Sequence, residues 1–487
     1  MLTSDVISRS LRENGLPHLQ ALLAVLGIEN EVTGNITLTG RDPIIKSPHH
    51  LGEASSYTHL CIGIAAAAIW KERTGNNTDI SINIFDALNH LHPTHFVQQQ
   101  GKMINVGAEF VPVNGIFKCK DGQYVMLEAG PPYTKLQRGY QNFFDCGDNK
   151  VSYAREIAKW DSFSLEEALS RAGLPVCRAF TSEEWLSQPQ GKILSGTPVV
   201  EIVKIADGTP VPFEPSTEIT APLQGIKVLD FTHVLAGPRS TRTLAEFGAE
   251  VLHISSHQYS DTLSQHLGVD VGKRCAYLDL NSKHDLGKMS ELSESADVFT
   301  TTYRHSVNER FGLTPEILSE RSKNGIIYMS ANAYGHTGPW ASRPGFDQNA
   351  QVVSGFSRRE GGAGNPRFSP VFYLADLITG YLAAAGMMAA LLRRSREGGS
   401  YHVKLSLTRS TMWVQELGLL DINLQGHLPE KDIYDANLVS YDTVYGALRG
   451  LASPLIFSHL SLPDVTYIEP YGASKPEWKN SAGFTSV

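Results

Sequence analysis

Cysteine is scarce in this chain, and its distribution excludes two common roles. The five cysteines among 487 residues are odd in number, widely scattered and free of any Cys-x-x-Cys pair. This usage is typical of reduced thiols in a cytosolic protein and not of a disulfide framework. Structural zinc sites bring their ligands together in short motifs, which are missing here. We therefore predict a cytoplasmic protein that holds no metal.

Long apolar runs and a basic excess are missing as well. The first fifteen residues carry charges and no apolar core of signal-peptide length, and the segment 61–70, CIGIAAAAIW, is too short to span a bilayer. The formal net charge is -8, from 42 Lys and Arg against 50 Asp and Glu, which gives no general tendency to bind polyanions. We expect no secretion, no membrane insertion and no nucleic-acid partner. The length suits two or three cores.

The clearest positive signal lies at 223–248, LQGIKVLDFTHVLAGPRSTRTLAEFG. Its apolar run around Val228 and Leu229 predicts a strand that is covered on both faces of a sheet. The turn at Gly237-Pro238 lets the backbone approach a ligand, and the helix that follows begins where anions are attracted. This strand, turn and helix suit a dinucleotide-like ligand, although many α/β proteins contain such a unit without one.

Four further motifs follow this unit in order. They are GKRCAYLDL (272–280), ADVFTTTYRHSVNERFGL (296–313), IIYMSANAYGHTGPWASRPGFD (326–347) and DLITGYLAAAGMMAALLRRSREGGSYHVKLSL (376–407). The series resembles the class III CoA-transferase family, the group of formyl-CoA transferase and carnitine CoA-transferase. The resemblance implies an α/β fold with Rossmann-like parallel-sheet large lobes and a smaller α+β domain. Related members include racemases and dehydratase-associated enzymes, so the fold alone does not determine the reaction.

The chain also repeats itself. A shift of 323 positions lays 51–87 over 374–410 without a gap, so that Gly63 matches Gly386, and both segments predict a helix, a basic turn and a strand. In the family this segment occurs once per subunit, which implies parts of two copies here. We predict a partial first large lobe at 1–100, a small α+β domain at 101–206, a linker at 207–222 and a second large lobe at 223–487.

The two copies lack different parts. Residues 1–50 contain no counterpart of the VLDFTHVLAGP motif, and the second copy has no room for a small domain. Family subunits are interlocked dimers, in which the small domain of one subunit covers CoA on the other. The resemblance therefore implies that one chain completes its own active site between lobes, with a second site degenerate. Further oligomerisation stays open.

Asp376, at the start of the second repeat, is the predicted catalytic residue. It matches the family carboxylate that attacks a CoA thioester, forms a mixed anhydride and then an aspartyl-CoA thioester. A carboxylate suits these steps because it is nucleophilic when ionised and its acyl derivative stays activated, although Asp also favours the N-cap of a helix for structural reasons. The repeat places Glu53 opposite Asp376. We expect Glu53 to be a relic with a structural capping or surface role, and keep an acid/base or substrate-orienting role as its alternative.

Coenzyme A, as the acyl-CoA co-substrate, presents phosphates, an adenine and a thiol arm, so its site should combine backbone donors, cations and an apolar slot. The contacts that the resemblance implies are His233 and Val234 near the thioester, Lys273 and Arg274 at the phosphates, Arg310 at the nucleotide, and Tyr334 and Gly335 near the acyl group. The alternatives to a CoA contact are that His233 is an ordinary loop histidine and that Lys273 and Arg274 form a solvated basic face.

One departure from the family bears on the reaction. The racemase branch carries a histidine in a Gly-His-Asp motif, whereas this chain has Gly345-Phe346-Asp347, which disfavours a two-base racemase. We predict a CoA-transferase that moves CoA between carboxylic acids. The alternatives are a lyase, isomerase or dehydratase that uses Asp376 as an acid/base, and a non-catalytic CoA-binding protein.

Overall fold

The computed structural model describes residues 8–11, 15–104, 111–130, 132–216, 218–258, 260–362, 364–371, 373–421, 428 and 436–479. In the first lobe the elements are β1 (Ser8–Ser10), α1 (Pro17–Leu26), β2 (Ile36–Thr39), α2 (Leu51–Thr74), β3 (Ile80–Asn83), α3 (Ile84–Asn89), β4 (Gln98–Gln99) and β5 (Lys102–Met103).

The small domain follows and begins with a β-hairpin. Strands β6 (Gly115–Lys118) and β7 (Tyr124–Leu127) pair antiparallel across the Asp121-Gly122 turn, where Gly122 has φ 78°. A third strand, β8 (Val176–Arg178), pairs with β7, and buried aromatic and aliphatic side chains form a separate core beneath the sheet. The helices are α4 (Thr134–Phe144), α5 (Lys150–Ile157), α6 (Ser162–Arg171), α7 (Ser182–Ser187) and α8 (Pro189–Ser195).

The second lobe contains the main sheet. Its strands are β9 (Glu201–Ala206), β10 (Lys227–Phe231), β11 (Glu250–Ser255), β12 (Lys273–Tyr277), β13 (Val298–Thr301), β14 (Ile327–Asn332) and β15 (Ser400–Ser406). Its helices are α9 (Ala236–Glu246), α10 (Leu263–Val269), α11 (Lys283–Glu294), α12 (His305–Arg310), α13 (Pro315–Arg321), α14 (Asp347–Val353), α15 (Phe356–Gly361), α16 (Leu374–Glu397) and α17 (Leu407–Glu416). The chain ends with β16 (Leu438–Thr443), β17 (Gly446–Leu451) and β18 (Leu455–Phe457).

This sheet has the order β12-β11-β10-β13-β14-β15-β9, and all pairs are parallel except β15 with β9. The predicted α/β fold with a parallel sheet is therefore confirmed. Val228 and Leu229 of β10 are fully buried, as expected for a strand that is covered on both faces. The strand order reverses beside β10, and open α/β sheets bind ligands in the crevice at such a point.

The two repeated segments have the same local structure. Helices α2 and α16 each contain 24 residues, begin at Leu51 and Leu374, and end before Gly75 and Gly398, which keeps the offset of 323. Each is followed by a strand that pairs parallel with an earlier strand. Helix α16 is long and apolar enough to cross a membrane, but its apolar window is wholly buried inside the protein, as in the core helix of a folded domain.

Parts of three predicted segments lie elsewhere than expected. The end of the predicted small domain, 201–206, forms β9 at the edge of the main sheet. In the predicted linker, Phe213 is buried and has the Arg73 guanidinium 5.0 Å from its ring centroid. The C-terminal strands β17 and β18 pair with β4 and β3 of the first lobe. Open strand edges pair with whichever segment reaches them, and sequence separation does not reveal which one does.

Candidate functional site

The turn after β10 has a strained backbone. Val234 has φ 67°, a left-handed conformation that is rare for β-branched residues and is tolerated where the surroundings enforce it, often at functional sites. Its N–H donates to Asp261 Oδ2 at 2.8 Å, and the His233 N–H donates to Thr302 Oγ1 at 3.1 Å. Residues 232–238 are called the elbow below. The two residues that the sequence predicts at the thioester, His233 and Val234, both lie in it.

Asp376 lies next to this elbow. Ala375 packs in one cluster with Ala236 of the elbow, and a Cβ at Gly380, one turn along α16, would lie 2.8 Å from the Ala236 carbonyl oxygen. Asp376 is 7% exposed, and its backbone N–H donates to Asp347 Oδ2 at 2.8 Å. The close approach of α9 and α16 thus holds the candidate nucleophile beside the elbow.

The small domain covers the same place. Glu128, directly after β7, is 7% exposed and accepts a hydrogen bond from Asn114 Nδ2 at 2.6 Å. The ring of Tyr133 lies 5.9 Å from that of His233 and 5.9 Å from that of Phe346, measured between centroids. One chain therefore brings small-domain side chains against the elbow and the start of α14.

Glu128, Asp347 and Asp376 form what we call the carboxyl cluster. Burial raises the pKa of Asp376 well above its ordinary value, and Asp347 and Glu128 raise it further. Burial also raises the pKa of Asp347 to about 7, and burial followed by the Asp347 charge raises that of Glu128 to about 8. Strongly raised carboxyl pKa values in one buried cluster are typical of functional sites. Burial and mutual repulsion therefore favour the protonated form of each carboxyl group in this cluster.

We expect this cluster to make stability depend on pH. Glu128 has a folded-state pKa of about 8, above its ordinary 4.5, so its stabilising neutral form is fully present below pH 4.5 and is lost as the pH rises through 8. Replacing Glu128 by Gln keeps an acceptor for Asn114 and removes the charge. The variant should gain roughly 2 kcal/mol relative to wild type between pH 6 and pH 9, measured by urea unfolding. An equal pH dependence in both proteins would contradict a buried, raised Glu128.

The predicted phosphate contact of Lys273 is wrong in this structure. The Lys273 side chain has no exposure, and its ammonium group donates to Asp230 Oδ2 at 3.0 Å and to Asp270 Oδ1 at 2.8 Å. Arg274, on the other face of β12, donates to the Glu477 carbonyl oxygen at 2.6 Å and pairs with Glu250. Alternate residues of a strand point to opposite faces of the sheet. Lys273 therefore bonds to partners on one face of β12 and Arg274 to partners on the other, and both side chains have a structural role.

The other predicted contacts are separated from the elbow or covered. Arg310 donates to Asn281 Oδ1 at 2.8 Å. The Tyr334 ring is buried, and a Cβ at Gly335 would lie 2.7 Å from the Leu194 side chain of α8. The Tyr334 carbonyl accepts from Gln190 Nε2 at 2.8 Å. Helix α8 thus packs against the loop at Tyr334 and Gly335, and the approach of this loop to an acyl group stays a prediction.

Glu53 occupies the equivalent helix start in the first lobe. Its N–H donates to Asp42 Oδ2 at 2.8 Å, just as Asp376 donates to Asp347. However, Glu53 pairs with Arg9 at 2.6 Å and with His50 at 2.7 Å, and these partners lower its pKa although burial works to raise it. Basic side chains already neutralise this carboxylate, so the structure favours a structural role over acid/base chemistry. The expected capping role is not seen, because Asp42 and not Glu53 accepts from the backbone at the start of α2.

Asp347, Glu128 and Tyr133 were not predicted as site residues. A local signal existed only for Asp347, because a Gly-x-Asp sequence precedes each long repeat helix, ending at Asp42 in the first lobe and at Asp347 in the second. Glu128 and Tyr133 lie more than two hundred residues from Asp376. Their approach depends on how the small domain docks, which no local pattern encodes.

The fold and the site together define an α/β protein with a buried carboxylate beside a strained turn at the sheet crevice. Residues 223–449 match the model of CoA-transferase family III. This matched region, a little under half of the chain, is similar to the family that the sequence resemblance predicts.

Individual relatives cover part of the chain. An acetyl-coenzyme A transferase of Hypoxylon pulicicidum is 29% identical over 65% of this chain and 57% of its own length. An acyl-CoA transferase of Gibberella moniliformis is 33% identical over 53% of this chain and 47% of its own. A crystal structure of a Mycobacterium tuberculosis protein shows 30% identity, covers 46% of this chain and 61% of that chain, and has a TM-score of 0.38. The chain spans about half the length of the curated relatives that it matches.

Proposed function

We propose that this protein is a CoA-transferase that moves CoA between carboxylic acids, with Asp376 as the nucleophile. The observation that carries the proposal is the position of Asp376, beside the elbow of the family-matching lobe and beneath the small domain of the same chain. The α9 helix begins at the elbow, and the positive end of a helix suits the negative charge of CoA.

The proposed reaction proceeds by local acyl exchange on one carboxyl group. The Asp376 carboxylate attacks the thioester carbonyl carbon, the carbon–sulfur bond breaks, and a mixed anhydride forms while the CoA thiolate leaves. The thiolate then attacks the Asp376 carbonyl carbon, which releases the first acid and leaves an aspartyl-CoA thioester. Holding the acyl group covalently turns a transfer between two acids into steps within one site. Asp376 must be ionised to begin, which its burial and the neighbouring Asp347 and Glu128 oppose.

We propose further that one chain is sufficient for one active site. Glu128 and Tyr133 come from the small domain and reach the second lobe within the same polypeptide. The matching helices α2 and α16 support an internal duplication, and the pairing of Glu53 with Arg9 supports a degenerate first-lobe site. Light scattering combined with an activity assay tests this idea, because turnover found only in an obligate oligomer would contradict it. All five cysteines are free, which supports a cytoplasmic location.

Mass spectrometry on the intact protein tests the covalent mechanism. Incubation with a panel of acyl-CoA thioesters should give an acyl or CoA adduct that maps to Asp376 and is removed by hydroxylamine. Asp376→Asn should form no adduct. Turnover without any adduct would instead favour a lyase, isomerase or dehydratase, for which the raised pKa of Asp376 suits a general acid. Binding of CoA in calorimetry without turnover would favour a non-catalytic CoA-binding protein.

A further inference from the structure

The surroundings of Asp376 determine which acyl groups fit, because the proposed reaction joins the acyl group to that carboxyl. Two neighbouring side chains are themselves acidic. Asp347 contacts the Asp376 backbone at 2.8 Å and is 1% exposed. Glu128 approaches from the small domain, where the next glycine, Gly130, lies so near Phe346 that an added Cβ would be 3.3 Å from its ring. An acyl chain on Asp376 would begin between acidic groups of two domains.

Basic groups do not balance this acidity. Within the described ranges the hydrogen-bond donors to the side chains of Glu128 and Asp347 are amides, from Asn114, Gln351 and the Asp376 backbone. The closest cationic candidate along α9, Arg239, pairs with Glu246 at 2.7 Å and lies over the Tyr381 ring. Burial lowers the pKa of His233, which keeps its ring neutral. A carboxylate brought into this place would lose hydration without gaining a cation.

We propose that the acyl pocket selects monocarboxylic acyl groups and rejects those that carry a second carboxylate, and that Glu128 is a specificity-determining residue. This proposal rests on the proposed CoA-transferase function. It defines the substrate class as carboxylic acids whose remaining part is uncharged or cationic. Glu128 is suited to this task because it neighbours Asp376 but belongs to the small domain, whose docking completes the pocket.

Matched thioesters measure the selection in the full-length protein. The pairs are propionyl-CoA with malonyl-CoA, butyryl-CoA with succinyl-CoA and valeryl-CoA with glutaryl-CoA, which have equal chain lengths and differ in the terminal carboxylate. We expect the monocarboxylic member to have a kcat/KM roughly ten- to a hundredfold higher and to form the Asp376 adduct correspondingly faster. The preference should widen between pH 6 and pH 9, because Asp347, with a pKa of about 7, and Glu128, with a pKa of about 8, become anionic over this range.

Glu128→Gln tests the source of the preference. The amide keeps an acceptor for Asn114, so the fold should persist, and both the preference and its pH dependence should shrink several-fold. Glu156→Gln is the matched control, because it makes the same change on the surface of the same domain, where Glu156 pairs with Lys159, and its preference should stay at the wild-type value.

The possible outcomes separate the two proposals. Equal use of both members of each pair would overturn the selection and leave CoA transfer standing. A preference that is independent of pH and unchanged in Glu128→Gln would overturn the role of Glu128. No turnover and no adduct with any thioester would overturn the proposed function, and the selection with it.

Discussion

Replacing Asp376 by asparagine should lower kcat/KM for acyl-CoA by roughly four orders of magnitude or more, as expected for the loss of a covalent nucleophile. The amide has nearly the same shape but cannot form an anhydride. Burial and the neighbouring Asp347 and Glu128 favour an uncharged group at this position. The free energy of unfolding of the variant should therefore be at least as high as that of wild type at pH 8. Steady-state kinetics combined with urea unfolding separates lost chemistry from lost structure.

The pseudo-equivalent residue of the first lobe provides the control. Glu53→Gln makes the same kind of change at the start of α2, but removes an acceptor of Arg9 and His50. We expect lower stability, because Glu53 is buried and its loss leaves Arg9 and His50 without their acceptor. Turnover per folded molecule should stay within about twofold of wild type, because Glu53 lies in the other lobe from Asp376. Undiminished turnover in Asp376→Asn, or a large loss of turnover in Glu53→Gln, would contradict the assignment of the chemistry to the second lobe.

The local elements of the site could be predicted, because their signals are contiguous in the sequence. The apolar run at Val228 and Leu229 and the Gly-Pro turn after it predict the strand, the elbow and the helix. The repeat predicts that α2 and α16 begin and end at matching residues, and it identifies Asp376 as a helix-start carboxylate. Periodicity and turn chemistry act over a few residues, which is why these predictions agree with the structure.

The side-chain partners of the site could not be predicted in the same way. The sequence predicts Lys273 as a phosphate contact, but its partners are Asp270, three residues earlier, and Asp230 on β10, two strands away in the sheet. Glu128 reaches Asp376 only because a separate domain docks there. Partners of this kind depend on sheet order and domain packing, and composition does not distinguish an exposed lysine from a buried one that is neutralised.

The second large effect is expected at Lys273, on stability. Its ammonium group bonds to Asp230 and Asp270, and these two carboxylates keep its pKa high although burial alone would lower it. In turn the Lys273 charge lowers the pKa of both carboxyls against the effect of burial. Lys273→Met leaves two buried carboxylates without their cation, which should cost about 3–5 kcal/mol in the free energy of unfolding at pH 7. Urea unfolding measures this loss.

Two comparisons distinguish this role from a phosphate contact. Lys288→Met removes a partly exposed lysine that pairs with Glu291 and should change stability by about 0.5 kcal/mol or less. Lowering the pH should narrow the gap between Lys273→Met and wild type, because protonation of Asp230 and Asp270 removes the uncompensated charge in the variant. In wild type, the same two carboxyls contribute stability that is lost as the pH falls. If Lys273→Met keeps the stability of wild type but binds CoA more weakly, the predicted contact of Lys273 with a CoA phosphate would be supported instead. Because Asp230 also accepts from Thr232 at the start of the elbow, the buried ion pair of Asp230 with Lys273 helps to keep the elbow in place.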